Sequence, residues 1–273
     1  MPEMTERDFA CKIRQEILWE FQRNQRKGIY AKVQKMMAYN SNRIEGSTLT
    51  SEQTASLFDT GTIFADADTV YRAKDIEEMS GHFRMFNHML KTIDQPLNEK
   101  LIKEFHFYLK SGVFEDMANG YPIGEYKIRA NIVSDIETCV PTRVHEEMAV
   151  LVSEYNGLTE KGIESVMGFH AGFEKIHPFQ DGNGRVGRMI LFRECLKQDL
   201  IPVIIRDESK AEYYHVLHEA QVRGNFEPLE TYAKVQQQLC RKDLEPFIQT
   251  EQEYGRKPDL KREISGDIQI EEP

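Results

Sequence analysis

One short segment, His177-Pro-Phe-Gln-Asp-Gly-Asn-Gly-Arg-Val-Gly-Arg188, carries the side chains best suited to chemistry. Pro178 disfavours helical backbone at His177, so the preceding helix is predicted to end there. The unperturbed pKa of an imidazole is suited to accepting a proton near neutral pH, which makes His177 a candidate base. Asp181 offers a hard oxygen ligand of the kind that Mg²⁺ prefers. A candidate base and a candidate metal ligand therefore lie within one loop.

The same loop has the features of an anion-binding site. Gly182 and Gly184 permit positive φ angles and close approach of a ligand to the backbone. A helix is predicted to begin near Arg185, and free N–H groups at a helix N-terminus attract phosphate. Arg185 and Arg188 are three apart, which puts them on roughly one helix face where both could clamp phosphate oxygens. The Asn183 amide could donate to a further phosphate oxygen.

Two simpler interpretations compete with this one. A histidine before proline is more often structural than catalytic, and Asp-Gly-Asn-Gly is often only a turn. Gly182-x-Gly184-x-x-Gly187 also matches the dinucleotide-binding fingerprint, which requires a strand before the first glycine. Residues 164–176 have helical periodicity instead, so the dinucleotide interpretation fails on its context.

The segment resembles the Fic-domain signature, His-x-Phe-x-(Asp/Glu)-Gly-Asn-Gly-Arg-x-x-Arg, and fills every specified position. The resemblance extends over roughly residues 40–235. It implies an all-α, Fic-type helical bundle with a small β-hairpin flap. It also implies a protein adenylyltransferase, which transfers AMP from ATP to a Ser, Thr or Tyr hydroxyl of a target protein and releases pyrophosphate.

The resemblance assigns a role to each part of the segment. His177 is expected to be the general base, and Asp181 to hold Mg²⁺ on the phosphates of ATP. The expected ATP-binding residues within the segment are Asp181, Gly182, Asn183, Gly184, Arg185, Val186, Gly187 and Arg188. Gly184-Arg185 retains the adenylylating form of the motif rather than the form found in the phosphokinase-like branch.

Two other regions resemble parts of the family's binding site. Residues 120–133 match the target-docking flap, in which Tyr126 is followed by Lys127 where the family favours arginine, and Ile132 and Val133 are expected to line the adenine. The simpler interpretation of this region is a surface hairpin. The pair Tyr213-Tyr214 lies on a helix resembling the one that contacts the base, where Gln221 replaces the usual asparagine. Tyr214 and Gln221 are the expected contacts, and Tyr213 is expected to be a core residue.

Ser41-Asn-Arg-Ile-Glu45-Gly46 resembles the family's inhibitory motif, (Ser/Thr)-x-x-x-Glu-(Gly/Asn). Ser41 and Glu45 are four apart and share a helix face. The resemblance pairs Glu45 with Arg188, the arginine expected to bind the γ-phosphate, so ATP would bind only unproductively. The simpler interpretation is a helix end capped by Gly46. We expect an autoinhibited enzyme whose inhibitory motif precedes the catalytic core.

Hydrophobic periodicity predicts the elements that hold these residues. Helices are expected over residues 6–39 with a break near Gly28, and one side of the helix over 68–93 is expected to include Val70. The further predicted helices span residues 51–64, 98–109, 144–155, 163–176, 186–200, 210–222 and 228–247. Three regions follow: N-terminal helices with the inhibitory motif (1–65), a Fic core with its flap at about 120–133 (66–240), and a helix end with a charged, frayed tail (241–273).

Composition limits the class of protein. The net charge of −10 argues against general affinity for nucleic acid. No stretch is apolar enough to span a membrane, and the N-terminus lacks the features of a signal peptide. The four cysteines are widely spaced, which favours free thiols. We therefore expect a cytoplasmic protein whose partners are ATP, Mg²⁺ and a hydroxyl-bearing target protein, with no nucleic acid and no membrane.

Other functions remain open from the sequence alone. A Fic enzyme can instead remove AMP or transfer another nucleotide or phosphate group, and Glu45 could then orient a water. A non-catalytic regulatory or toxin–antitoxin-like module is the alternative of a different class, although His177 and Asp181 are both intact. Self-modification would be detectable without a known target. Homodimers are common in the family, but no interface can be located in the sequence.

Overall fold

The computed structural model describes residues 4–64, 70–133 and 136–254, with the backbone alone for 132–133, 136–137 and 249–254. The described chain is predominantly helical, as expected. The helices are α1 (Glu6–Gln22), α2 (Ile29–Ile44), α3 (Ser51–Thr60), α4 (Ala73–Lys91), α5 (Glu99–Lys110), α6 (Phe114–Ala118), α7 (Val144–Gly157), α8 (Ile163–Ile176), α9 (Asn183–Lys197), α10 (Lys210–Arg223) and α11 (Glu227–Tyr254).

Local sequence signals explain where these helices begin and end. Gly28, with φ of 89°, separates α1 from α2 at the predicted break. Thr50 begins α3 with a capping box, in which its hydroxyl accepts from the Gln53 N–H and the Gln53 side chain accepts from the Thr50 N–H. Two boundaries were predicted wrongly. α3 ends at Thr60, where Gly61 is left-handed, and α4 begins only at Ala73, so Val70 precedes the helix and is 91% exposed.

The only regular strands in the described part of the chain are short. β1 (Ile132–Val133) and β2 (Ile136–Glu137) pair antiparallel, with Ile132 opposite Glu137. The segment predicted as a hairpin or extended loop, with a flap at about 120–133, is irregular over residues 120–131, and strand pairing begins only at the end of that range. Gly120, Pro122 and Gly124 favour turns over a continuous ladder.

α9 is the central helix of the fold. Nearly all of its residues are buried, which is the pattern of a helix surrounded by others. It packs against α8, α5, α4, α1 and α2. Its C-terminal part is anchored by Arg193, which is fully buried and donates to the backbone oxygens of Thr92, Ile93 and Gln95.

α2 also packs on α4 and α9, and its C-terminus lies beside the start of α9. It ends in a Schellman motif: the Gly46 N–H donates to Arg43 O at 2.9 Å and the Ser47 N–H to Asn42 O at 3.0 Å. Gly46 has φ of 87° and supplies the left-handed residue that this motif needs. Gly46 therefore caps the end of α2, and this role is compatible with the Ser-x-x-x-Glu-Gly pattern to which it also belongs.

α11 extends to Tyr254, beyond the predicted end at residue 247, and packs on α10, α8 and α1. Most of the predicted charged tail, residues 255–273, lies outside the described residues. All four cysteines are free thiols, as expected. Over the part of the chain that the structure covers, no helix combines the length and apolarity needed to cross a membrane.

Candidate active site

His177 lies immediately after α8, at the position where the helix was predicted to end. Its backbone is left-handed, with φ of 53° and ψ of 61°, and its N–H donates to Phe173 O at 2.9 Å. The ring atom Nδ1 is buried and has no hydrogen-bond partner among the described residues. Burial, with a contribution from Lys127, lowers the pKa of His177 to about 4. The imidazole is therefore neutral at physiological pH and can accept a proton.

Asn183 shapes the loop that follows. Its buried side chain accepts a hydrogen bond from Phe179 N at 2.7 Å and donates one to Phe179 O at 2.9 Å. The amide oxygen and one of its two N–H groups are thus used to close the loop. Donation to a phosphate oxygen would use the second N–H and stays a prediction. α9 accordingly begins at Asn183, two residues before the predicted start at Arg185.

The start of α9 forms an anion cradle. Gly182 precedes it with φ of 82°, and the first N–H groups of a helix have no partner within the helix. A Cβ at Gly184 would overlap Glu45 Oε1 and lie 2.9 Å from Arg188 Nη1. The carboxylate of Glu45 therefore lies directly over the first turn of α9, where the helix dipole favours an anion.

Arg188 is buried and is held mainly by α2. Its Nη2 donates to Glu45 Oε1 at 2.6 Å and to the backbone oxygen of Ser41 at 3.0 Å, and its Nε donates to Ser41 Oγ at 3.0 Å. These are charge-assisted bonds of the strong class. Ser41 on α2 and Glu45 at its C-terminal end thus both contact Arg188 directly.

Arg185 has different partners from Arg188. It forms a buried ion pair with Glu78 of α4, and its Nη2 lies 3.5 Å from Asp181 Oδ1. In this structure each guanidinium is already paired with acidic groups, Arg185 with Glu78 and Asp181 and Arg188 with Glu45, so the expectation that both arginines clamp phosphate stays a prediction.

Asp181 is the point where the loop meets a buried ion cluster. Its Oδ1 accepts from Gly182 N at 2.7 Å, and its Oδ2 accepts from Lys110 Nζ at 2.8 Å. Burial alone would raise the pKa of Asp181, but Arg185 and Lys110 hold it well below its usual range. Asp181 is therefore an ionised carboxylate, and its side chain is 33% exposed. Both properties fit the proposed ligand of Mg²⁺.

Three residues of the cluster were missed from the sequence: Glu78, Lys110 and Asp116. One carboxylate oxygen each from Glu78, Asp116 and Asp181 lies within 4.8 Å of the other two. Lys110 Nζ lies among them. A signal was available, since Lys110 is a charged residue on a face of α5 that also carries core residues.

His106, four residues before Lys110 on α5, was also missed. Its Nδ1 accepts from Gly124 N at 2.9 Å, so its Nε2 carries the proton and donates to Asp181 O at 3.0 Å. The ring stacks on Phe179 with centroids 4.0 Å apart. Burial lowers the pKa of His106 to about 3. This neutral histidine connects α5, the irregular segment 120–131 and the loop of Asp181.

Tyr126 and Lys127, the expected docking residues, are both buried. The Tyr126 hydroxyl donates to Glu99, and the Lys127 N–H donates to Pro178 O at 2.8 Å. Lys127 Nζ donates to Asn131 Oδ1 at 2.7 Å and to Thr138 Oγ1 at 2.8 Å. The Lys127 backbone therefore anchors the segment to the loop after His177, whereas the Tyr126 and Lys127 side chains hold it to α5 and to itself. The side chains of Ile132 and Val133 lie outside the described residues.

The remaining candidate nucleotide contacts are divided between surface and core. Tyr214 is 45% exposed and available to a ligand, whereas Tyr213 is buried against His170, as expected. The Gln221 amide donates to Ala171 O at 3.1 Å, which fixes it to α8. The Val186 side chain is fully buried, so the expected contact of this residue with ATP would have to come from its backbone. Gly187 packs against Glu174, which a Cβ at this position would overlap.

Comparison with known proteins finds a family match over part of the chain and several similar proteins. Residues 96–194 match the Fic/DOC family. Protein adenylyltransferase fic-1 of Caenorhabditis briggsae is 28% identical over 206 residues, covering 72% of this chain and 38% of the relative. The counterpart from Caenorhabditis elegans is 27% identical over 203 residues, again covering 72% and 38%. The chain thus spans under two fifths of the length of these curated relatives.

Solved structures share the fold. A Fic-domain signalling protein from Bacteroides thetaiotaomicron superposes with a TM-score of 0.65 at 24% identity, covering 90% of this chain and 91% of that one. Residues 134–508 of Fic-1 from C. elegans superpose with a TM-score of 0.65 at 21% identity, covering 92% and 74%. These likenesses establish the fold. Residues 96–194, which match the Fic/DOC family, include the complete motif from His177 to Arg188.

Proposed function

We propose that this chain is a protein adenylyltransferase that transfers AMP from ATP to a Ser, Thr or Tyr hydroxyl of a target protein. The observation that carries the proposal is the combination of a neutral His177 with the anion cradle at the start of α9 and the ionised Asp181. The relatives named protein adenylyltransferase support the same activity.

In the proposed reaction, His177 accepts the proton of the incoming hydroxyl as its oxygen attacks the α-phosphorus of ATP. The new P–O bond forms as the bond from the α-phosphorus to the bridging oxygen breaks, and pyrophosphate leaves. N–H groups at the start of α9 stabilise the charge that develops on the phosphate oxygens. Asp181 would hold Mg²⁺, which supplies further neutralisation of the phosphates when bound.

Glu45 is proposed to restrain this reaction. Its carboxylate lies over Gly184 and pairs with Arg188 at 2.6 Å, so it competes with the phosphate tail for both the cradle and the arginine. Like charges at such close range repel strongly where water is excluded. In this scheme residues 1–65 carry the restraint and residues 66–240 form the catalytic core.

AMP removal is a second candidate, favoured by one observation. Glu45 is a carboxylate placed directly over the phosphate cradle, where it could orient an attacking water. In that case Glu45→Gly would abolish AMP release from a modified protein, whereas the restraint predicts that the same change increases AMP transfer.

The chemistry is tested with ATP labelled at either the α- or the γ-phosphate, incubated with the Glu45→Gly variant and with Glu45→Gly/His177→Ala. Self-modification or a mixture of candidate proteins serves as acceptor. We expect labelling from α-labelled ATP alone, and its loss in the double variant. Labelling from the γ position alone would replace adenylylation with phosphotransfer, and absence of any labelling would favour a non-catalytic module.

A further inference from the structure

The ion cluster beneath the candidate active site contains its own cation. Lys110 Nζ lies 2.5 Å from Glu78 Oε1, 2.5 Å from Asp116 Oδ2 and 2.8 Å from Asp181 Oδ2. The Lys110 side chain is 1% exposed. Three carboxylates from α4, α6 and the loop before α9 thus converge on one ammonium group, in the arrangement that oxygen ligands take around a divalent cation.

The negative charge of the cluster is largely neutralised without a metal ion. The carboxylates of Glu78, Asp116 and Asp181 face the buried cations Lys110 and Arg185. Lys74, which is partly exposed, is shared between Asp181 Oδ2 at 3.8 Å and Glu115 Oε1 at 3.2 Å. A divalent cation approaching Asp181 alone therefore meets carboxylates whose charge is mostly offset, and it must also lose hydration.

We propose that Lys110 is a positioning residue that fills the three-carboxylate cluster, so that a divalent cation binds at Asp181 only together with a nucleotide. ATP changes the balance because its phosphates bring several negative charges and additional oxygen ligands to the partly exposed side of Asp181. Lys110 meanwhile holds Asp181 in place and keeps Glu78 and Asp116 from capturing the metal. The inference rests on the proposed role of Asp181 as metal ligand.

Mn²⁺ binding measured by titration calorimetry tests this without any catalytic turnover. The wild-type protein, Lys110→Met and Lys110→Arg are titrated with no nucleotide present. We expect very weak Mn²⁺ binding in the wild-type and Lys110→Arg proteins, because each retains the cation. Lys110→Met exposes three unneutralised carboxylates and should bind Mn²⁺ about tenfold more tightly or better.

Two controls separate this effect from general disruption. Lys110→Met/Asp116→Asn removes one carboxylate along with the ammonium and should lose the gained affinity. Lys103→Met removes a lysine of the same helix, which pairs with Glu125 at the surface, and should leave Mn²⁺ binding unchanged.

If Lys110→Met fails to fold, the wild-type protein provides a second, independent test of the proposal. Its affinity for Mn²⁺ is compared with and without a non-hydrolysable ATP analogue, and we expect binding about tenfold tighter or better with the analogue. Equal affinity in the two conditions would overturn the proposal, as would a folded Lys110→Met with no gain. Failure of the analogue itself to bind would instead count against the proposed function.

Discussion

At the scale of single residues, the motif divides into groups that face a ligand and groups that build the loop. Asn183 belongs to the second class, since both ends of its amide bond to the backbone of Phe179. His177 belongs to the first, because burial keeps its ring neutral while no described residue bonds to its Nδ1. The same motif therefore contains two polar residues whose loss should have different consequences.

Replacing Asn183 by Ala should destabilise the fold as well as the activity. The change leaves the N–H of Phe179 buried without its partner, while the Phe179 C=O keeps the bond from Asn131 Nδ2, and the loss costs about 1–3 kcal/mol. Urea unfolding compared with the wild-type protein measures this cost. A residue that only contacted phosphate would leave the unfolding free energy unchanged, and such a result would refute the structural role.

The rate of AMP transfer at acidic pH should reflect the lowered pKa of His177. With a pKa of about 4, the ring stays neutral, and AMP transfer by Glu45→Gly should change little between pH 7 and pH 5.5. A histidine of ordinary pKa would lose most of its neutral form over that interval, roughly tenfold in rate. Initial rates are measured alongside circular dichroism at each pH, so that loss of fold is not mistaken for protonation.

At the scale of elements, the sequence predicts most helices and the pairing of Glu45 with Arg188, but not the buried ion cluster. Hydrophobic periodicity locates most helix starts because it is a local signal, and the side chains of Thr50 and Asn98 cap two of those starts. The buried ion cluster was missed since it joins α4, α5, α6 and a loop that are distant in sequence. Val70 was wrongly assigned to a helix because its spacing fits the helical period of the residues that follow, although α4 begins only at Ala73.

α2 acts as a unit against Arg188, and Ser41 should therefore contribute to the restraint. Ser41→Ala removes the hydroxyl that accepts from Arg188 Nε but leaves the Ser41 carbonyl and Glu45 in place. One charge-assisted bond is worth about 1.5–3 kcal/mol, so AMP transfer should rise, but less than in Glu45→Gly. Initial transfer rates test this, with exposed Ser153→Ala as the matched control. A rate equal to that of the wild-type protein would mean that Glu45 alone provides the restraint.

At the scale of the whole molecule, the site lies over an interior that holds several neutral histidines. Burial lowers the pKa of His82, His106 and His170 to about 3. Glu174 acts in the opposite direction: its Oε1 is enclosed without a partner, and burial raises its pKa to about 8. The stability contributed by neutral histidines is fully present above pH 6.5, whereas that contributed by protonated Glu174 is lost as pH rises toward 8.

The protein should therefore become markedly less stable as pH falls from 6.5 toward 4. Below pH 6.5 the histidines of the unfolded chain become protonated, whereas the buried rings of the folded protein stay neutral. The free energy of unfolding therefore falls by about 1.4 kcal/mol per pH unit for each buried histidine. Urea unfolding at pH 7 and pH 5 measures the change. His82→Gln should reduce the slope, and His215→Gln, at an exposed position, should not. Unchanged stability at pH 5 would contradict the neutral interior.

The restraint of the whole enzyme by Glu45 is tested most directly by one ratio, the initial rate of AMP incorporation from α-labelled ATP in Glu45→Gly divided by that of the wild-type protein. Glu160→Gly, which removes an exposed loop carboxylate, serves as the control. Release of Arg188 and of the cradle predicts a ratio of about ten or more, the equivalent of one charge-assisted bond. A ratio near one, with both proteins folded, would contradict the account.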